Sequence, residues 1–396
     1  MRKIFMTLFM FAAIAAATFT SCSNDEGGNG TTNGGGLENT TLKGTITGET
    51  TLEAKEYTLE GTLIVADGGV LTIPAGTTIK ATNGNAFSKY ILVAQGGKIY
   101  AKGTAEKPVV FTSETQTPGA WGGLIINGKA PISGATTGET GATEINNDYK
   151  YGGTITGDNS GELTYIKLLY TGANNGDEIE HNGLTLNGVG NGTKVENIYV
   201  INGADDAIEF FGGSVNVTNL LAVNPDDDMF DFTQGYTGTL KNCYGIWEAS
   251  YKTSEEDPRG VEADGNLDGK GPDHKGQSDF RIENMTVDNR CTSVFTNNGA
   301  EERTYMHDVI KIRRGAKATI VNALVKGNGI AQDLIDLTDG KGNAANGTSI
   351  SITNQLTEPL KGKEQNPGDV DATINITTGN TGADKSLFTW TGYTGL

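Results

Sequence analysis

A repeat in the middle of the chain constrains the fold more than any other feature of the sequence. Residues 195–213 align with residues 217–235 at a spacing of 22 residues and without a gap. The pattern of an aliphatic residue, any residue and then Asn returns at 240–242, 282–284 and 320–322. A unit of about 22 residues holds three short strands and their turns, which is one coil of a parallel β-helix with coils stacked about 4.8 Å apart.

The composition supports the same architecture. Short runs of Val, Ile, Thr, Tyr and Phe alternate with Gly, Asn and Asp, and the chain holds 57 Gly but only 9 Pro. Beyond residue 21 no stretch keeps the 3.6-residue apolar period of an amphipathic helix. We therefore predict an all-β chain in which residues 42–396 form one single-stranded, right-handed parallel β-helix. We interpret residues 250–278 as a loop and the aromatic segment 387–393 as the cover of the final coil.

One Asn falls at the same position of successive coils, and an apolar or small residue follows it each time. The Asn residues are Asn197, Asn219, Asn242, Asn284 and Asn322. An amide both donates and accepts hydrogen bonds, so we interpret this column as a structural ladder along the helix axis. The residues predicted to point into the core are Val195, Ile198, Val217, Leu220, Cys243, Ile282, Met285 and Ile320.

The first 21 residues carry an export signal. Arg2 and Lys3 precede an apolar stretch over residues 4–19, which is shorter than the about 20 residues of a membrane-spanning helix. The Phe-Thr-Ser-Cys sequence that follows, ending at Cys22, resembles a bacterial lipobox. The resemblance implies that residues 1–21 are a signal peptide and that Cys22 is diacylated and becomes the first residue of the mature protein.

Residues 22–41 are dominated by Gly, Asn and Thr, and we expect them to form a flexible tether. Asp25 and Glu26 lie shortly after Cys22, and this acidic pair resembles the surface-export signal of Bacteroidetes-type lipoproteins. The resemblance implies a protein that is anchored by lipid in the outer membrane and exposed at the cell surface.

The charge balance excludes one class of partner. The full chain has a formal net charge of −18, which becomes −20 without residues 1–21, because Arg2 and Lys3 leave and no acidic residue does. A chain this acidic does not bind nucleic acid through general electrostatics.

The acidic part of the 22-residue repeat is the main candidate site. Alternation along each strand puts Glu209 above Asp231 on the outer face, and Asp205 above Asp227 on the same side. Carboxylates about 5 Å apart repel each other by roughly 3 kcal/mol at an effective dielectric constant near 20. Three explanations remain open: a bound Ca²⁺, a shared proton suited to acid–base chemistry, or a solvated acidic surface.

Four segments of the chain resemble one protein family. They are residues 183–193, 204–213, 257–264 and 310–315. The family is a group of secreted bacterial β-helix proteins within the pectate-lyase-like superfamily. The resemblance covers roughly residues 50–396, and it implies a pectate-lyase-like solenoid while leaving the activity open.

Two classes of function are compatible with this sequence. We expect a non-catalytic surface protein that binds a polysaccharide or a cell-surface glycan or acts as an adhesin. The alternative is a polysaccharide lyase or glycoside hydrolase that acts on an acidic polysaccharide in the same groove. Arg259, Glu262, Asp264 and Arg313 are the candidate binding residues, although a salt-bridged turn is the favoured explanation of the first three.

The lipobox gives the first testable prediction. Replacement of the acylated residue, Cys22→Ser, removes the sulfur that carries the lipid, so we expect the protein to leave the membrane fraction. The measurement is fractionation of cells grown with labelled palmitate, with Cys243→Ser as the control. A Cys22→Ser protein that still takes up palmitate and stays with the membrane contradicts the lipobox interpretation.

Overall fold

The computed structural model describes residues 37–38, 40–176, 179–297 and 300–396, which all belong to one compact unit. The predicted signal peptide and most of the predicted tether lie outside the described residues, so these boundaries stay predictions. Over the described part of the chain, no helix is long and apolar enough to cross a membrane.

The described residues form 28 strands and two short 3₁₀ helices. The strands of the first half are β1 Leu37–Glu38, β2 Thr41–Ile46, β3 Glu49–Thr51, β4 Glu56–Val65, β5 Val70–Pro74, β6 Thr78–Ala81, β7 Ile91–Val93, β8 Lys98–Lys102, β9 Val109–Ser113, β10 Leu124–Asn127, β11 Thr140–Thr143, β12 Asn146–Gly152, β13 Gly161–Leu169, β14 Leu184–Asn187 and β15 Lys194–Ile201. Those of the second half are β16 Ile208–Phe211, β17 Asn216–Val223, β18 Phe230–Thr233, β19 Thr239–Trp247, β20 Arg259–Asp264, β21 Asp279–Asn289, β22 Val294–Asn297, β23 Ala300–Arg303, β24 Tyr305–Arg313, β25 Lys317–Gly327, β26 Ile330–Asp336, β27 Ser349–Leu356 and β28 Thr373–Ile376. The 3₁₀ helices are Leu267–Gly269 and Lys385–Thr391.

Parallel pairing between successive coils builds the solenoid. One sheet, called sheet A here, runs β2–β4–β7–β10–β14–β16–β18–β20–β24–β26, and every neighbouring pair is parallel. The first half of β13 pairs with β8 and its second half with β9, so this long strand serves two further sheets. The strands β15, β17, β19, β21 and β25 stack on β13 in the same way. The chain is therefore the parallel β-helix that the repeat predicted.

The Asn ladder lies inside the long strands, at the bend between the sheet formed by their first halves and the sheet formed by their second halves. Asn197, Asn219 and Asn242 have φ of 57°, 59° and 55°, in the left-handed region that Asn tolerates better than most residues. Asn219 Nδ2 donates to Asn197 Oδ1 at 2.9 Å, and Asn242 Nδ2 to Asn219 Oδ1 at 3.0 Å. Asn322 Nδ2 donates to Asn284 Oδ1 at 2.8 Å. The structural interpretation of the Asn column is confirmed.

The core lies inside the coils, and the predicted inward residues line it. All eight, Val195, Ile198, Val217, Leu220, Cys243, Ile282, Met285 and Ile320, are at most 1% exposed. Phe210 stacks on Phe232 with ring centroids 5.0 Å apart, and Phe232 stacks on Phe280 at 4.3 Å. Because the register places similar side chains above one another in successive coils, the core consists of columns of similar side chains that run along the helix axis.

Two expectations about the periphery are wrong. Residues 250–278 are not only a loop, because they contain β20. This strand belongs to sheet A, where it lies between β18 and β24 and pairs with both. The C-terminal segment packs Phe388 on the outer side of β15, β17 and β19, against Leu221 and Tyr244, and not over the final coil. The outer apolar column made by the second half of these strands needs cover, and the C-terminal aromatic residues supply it.

The core columns give a stability prediction. Leu220→Ala removes a fully buried side chain between Ile198 and Cys243, so we expect a loss of about 2–5 kcal/mol in the free energy of unfolding. Val321→Ala is the control, because Val321 is 38% exposed and its truncation should cost far less. Denaturant unfolding measures both, and equal losses would mean that the core register is wrong.

Candidate functional site

Sheet A carries a charged ladder on its outer face. The residues in register on successive strands are Thr185, Glu209, Asp231, Glu262, Lys311 and Asp336. The same position is apolar in earlier coils, where Leu92 and Ile125 pack under residues of the hairpin formed by β11 and β12. The charged positions therefore begin where this apolar cover ends.

An acidic cleft lies over the start of this ladder. It has a volume of about 380 Å³, with Glu144 and Tyr151 of the β11–β12 hairpin on one side and the 3₁₀ helix Leu267–Gly269 with Lys270 on the other. Eleven of the lining residues are Asp or Glu, and Lys270 is the single basic one among the described lining residues. The acidic residues are Glu144, Glu180, Asp205, Asp206, Glu209, Asp227, Asp228, Asp231, Glu262, Asp264 and Asp268.

The structure brings together the four residues predicted as a metal site, Asp205, Glu209, Asp227 and Asp231. They belong to groups of three carboxylates whose oxygens lie within 4.8 Å of one another. The groups are Asp205–Asp206–Asp227, Asp206–Glu209–Asp231 and Asp228–Asp231–Glu262. The cluster thus consists of the predicted four and three more residues, and the predicted calcium role itself stays a prediction.

Sequence reasoning missed Asp206 and Asp228. Each follows a predicted ligand directly, so strict alternation would send it to the other face of the sheet. Both lie in the turns before β16 and β18, where alternation does not apply, and both line the cleft. The doubled acids at the same place in both repeats are the signal that would have found them.

Six carboxylates in two successive coils form no ion pair with a described residue, although the charges of Arg259 and Arg313 act on Asp227, Asp228 and Asp231 from farther away. Within the described residues, none of them pairs with Lys, Arg or His; they are Asp205, Asp206, Glu209, Asp227, Asp228 and Asp231. Burial raises the pKa of each, and for most of them the neighbouring carboxylates raise it further. The pKa of Asp227 rises to about 8, first through burial and then through Glu262. Burial and the charge of Asp268 raise the pKa of Glu144 to about 7.

The next coils are neutralised by arginine. Arg259, which is 4% exposed, pairs with Glu262 at 2.5 Å and lies 3.6 Å from Asp308. Arg313 pairs with Glu262 and Asp264 at 2.7 Å each. The predicted binding residues Arg259, Glu262, Asp264 and Arg313 therefore form one ion-pair network. The alternative of a salt-bridged turn is right about the salt bridges. It is wrong about the turn, because the residues lie on strands β20 and β24.

Three buried acceptor atoms in the cleft have neither a hydrogen bond nor an ion pair among the described residues, on Asn182, Asp227 and Asp231. Asp231 is 8% exposed and its Oδ1 is unpartnered. Asn182 is 4% exposed; its Nδ2 donates to Glu209, but its Oδ1 accepts nothing. A buried acceptor without a donor costs about 1–3 kcal/mol, so these atoms point to a ligand that brings donors or positive charge.

A match to a known family in the sequence agrees with the β-helix fold. Residues 44–394 match the family described as Pectate-lyase like beta helix domain, and the chain belongs to it. No curated protein matches this chain in sequence.

Solved structures with some similarity to this chain are catalytic domains of GH87 alpha-1,3-glucanase. One, in complex with nigerose, is 14% identical with a TM-score of 0.37, covering 84% of this chain and 64% of that domain. Another, in complex with tetrasaccharides, is 14% identical with a TM-score of 0.30, covering 82% and 64%. The chain thus spans about 64% of the length of the solved domains that it matches.

The raised pKa values predict how stability depends on pH. The folded protein holds a proton on Asp227 up to about pH 8, whereas the unfolded chain releases it near the ordinary value of 3.8. Without divalent cations, stability should therefore fall as pH rises from 5 to 8, by about 1.4 kcal/mol per pH unit for each such carboxyl. Thermal unfolding in EGTA at both pH values measures this, and Asp227→Asn should flatten the slope. A melting temperature that rises with pH would contradict the assignment.

Proposed function

We propose that the acidic cleft binds a hydroxyl-rich glycan together with positive charge, for which Ca²⁺ is the first candidate, and that the protein is a non-catalytic carbohydrate-binding β-helix. The observation that carries the proposal is a set of six carboxylates, four buried and two half-buried, that form no ion pair among the described residues. Buried charges are paired, protonated or bound to a cation, and here the described residues supply no pair.

The three clusters of three carboxylates each suit a hard cation. Ca²⁺ takes six to eight oxygen ligands at about 2.3–2.6 Å from carboxylates and amide carbonyls in flexible geometry. Asp206 belongs to two of the groups, and so does Asp231, while Asn182 Oδ1 offers a neutral oxygen beside Glu209. Calcium would remove the repulsion within the cluster and satisfy the unpartnered acceptors.

The shape of the cleft supports a glycan as the second component. A volume of about 380 Å³ exceeds what one cation needs and lies within the range of small-molecule sites. Phe211 and Leu267 give the cleft apolar lining beside the carboxylates, which suits the mixed C–H and hydroxyl surface of a sugar. An acidic polysaccharide would enter only with a bridging cation, because the lining is almost entirely negative.

Hydrolysis of a glycoside is the second candidate. The pKa values of Glu144 and Asp227 are raised to about 7 and 8, so both can hold a proton at neutral pH beside other carboxylates. A protonated and an ionised carboxyl group are the two partners of glycosidic-bond cleavage. A lyase is less well supported, because the carboxylates paired with Arg259 and Arg313 raise the pKa of each guanidinium and make it a poor base.

We further propose that acylated Cys22 and the tether hold this site outside the cell, at the outer membrane. The support is the lipobox resemblance and the acidic pair Asp25 and Glu26. Partners would then be extracellular polysaccharides or the glycans of neighbouring cells.

Calcium addition tests the proposal. At one hundred times the dissociation constant, Ca²⁺ should stabilise the folded protein by about 2.7 kcal/mol through mass action. The double variant Asp227→Asn with Asp231→Asn should lose this response in a thermal shift measurement. Asp371→Asn, at an exposed position near the last coil, is the matched control and should keep the full response.

The same variants separate the alternatives. If the double variant is more stable and neither protein responds to Ca²⁺, the cleft is a tolerated acidic surface and the proposal is wrong. If the wild-type protein shortens a glycan and the folded double variant does not, the hydrolase is the correct function.

A further inference from the structure

The cleft presents mainly acceptors, and most of its side-chain N–H and O–H donors, apart from the exposed Lys270 ammonium group, are engaged within the protein. Among the described lining residues, Lys270 Nζ donates to Asp268, Tyr151 OH donates to Gln234, and Asn182 Nδ2 donates to Glu209. The Thr233 hydroxyl lies 3.5 Å from the carbonyl oxygen of Asn266, to which it donates. A ligand therefore meets mainly side-chain oxygens that accept, and it must supply most of the hydrogens itself.

Three of these oxygens, on Asn182, Asp227 and Asp231, have no partner among the described residues, and two of them belong to buried residues. Asp231 Oδ1 and Asn182 Oδ1 belong to lining residues that are 8% and 4% exposed, and neither has a partner among the described residues. The second is a neutral amide oxygen outside the carboxylate cluster, so it points to a donor independently of the charge. Both adjoin Glu209, which pairs in register with Asp231 and accepts from Asn182.

We infer that the natural ligand of the cleft is an amino sugar, a glycan unit whose primary ammonium group binds in the carboxylate cluster. The inference rests on the proposed glycan-binding function and names its substrate class. The sugar would bring the positive charge that the cluster requires, in place of a separate metal ion.

The geometry of the cluster fits an ammonium group. An N⁺–H donor stands about 2.8 Å from a carboxylate oxygen, so three acceptors arranged tetrahedrally around one nitrogen are about 4.6 Å apart. The oxygens of Asp206, Glu209 and Asp231 lie within 4.8 Å of one another. An ammonium group has three donors, and this group has three acidic acceptors.

The remaining volume fits the rest of the sugar. The cleft of about 380 Å³ leaves room beside the ammonium group for a ring whose hydroxyls donate to further carboxylates, such as Asp205 and Asp228. N-acetylation would remove the charge and add a carbonyl acceptor next to buried carboxylates. The cleft should therefore reject the acetylated form and bind the free amine.

Three trisaccharides that differ at one position test the inference. They are the β-1,4-linked trimer of glucosamine, its fully N-acetylated form and the corresponding glucose trimer, each titrated calorimetrically into the full chain at pH 7 in EGTA. We expect the glucosamine trimer to bind at least about tenfold more tightly than the other two, because only it carries charge into the cluster. Raised salt should weaken its binding.

Matched variants locate the binding. Asp206→Asn should reduce affinity for the glucosamine trimer about tenfold or more, and Asp371→Asn should leave it unchanged. Circular dichroism is the measurement that checks whether each variant is folded. If Asp206→Asn does not fold, Asn182→Asp serves instead, because an added negative charge beside Glu209 should tighten binding of the amine and not of glucose.

Other outcomes overturn the inference, and they differ from failure of the proposed function. Equal affinity for the acetylated and free trimers, or binding of any trimer only after Ca²⁺ is added, would contradict the amino-sugar inference. Either result would still agree with the proposed glycan site. Spermidine binding as tightly as the glucosamine trimer would show that charge alone is recognised. No binding of any trimer, with or without Ca²⁺, would contradict both the glycan-binding function and the amino-sugar inference.

Discussion

Parallel pairing between coils is the constraint on which the rest of this molecule depends. Each residue of a coil lies one strand spacing from its counterpart in the next, so any choice made in one coil is repeated along the axis. Stacked Asn residues gain from this repetition, because Asn219 can donate to Asn197 and accept from Asn242. Stacked phenylalanines gain too, as Phe210 and Phe232 do, whereas stacked carboxylates lose.

The stacked acids therefore need an explanation that the stacked amides do not. In the coil of β20 the same ladder is neutralised, since Arg259 and Arg313 both pair with Glu262. In the two coils before it, Glu209 and Asp231 stand in register, and neither forms an ion pair with a described residue. The chain places arginine beside the acids of β20 and not beside those of the two coils before it, and this difference is what the proposed ligand site would require.

The fold was predictable because it depends on periodicity. The repeat set the register, and the register correctly placed Leu220 inward and Glu209 beside Asp231. The sequence did not reveal Asp206, because turn residues escape alternation. It did not reveal the role of β20 either, because the polar segment 248–258 separates this strand from β19. The lateral position of Phe388 depends on which apolar column remains uncovered after the coils stack, and this is a property of the assembled solenoid.

The boundary between the neutral and acidic coils also limits what the cleft can bind. Arg259 is fixed by Asp257 and Glu262, and Arg313 is fixed by Glu262 and Asp264. Neither guanidinium lines the cleft, so neither offers a free donor to an anionic ligand there. A negatively charged sugar would meet like charge everywhere except at Lys270, while a neutral sugar would leave the cluster unneutralised. Of the chemistries open to a glycan, a positive group on the sugar or a cation bound with it is the one that these two coils can stabilise.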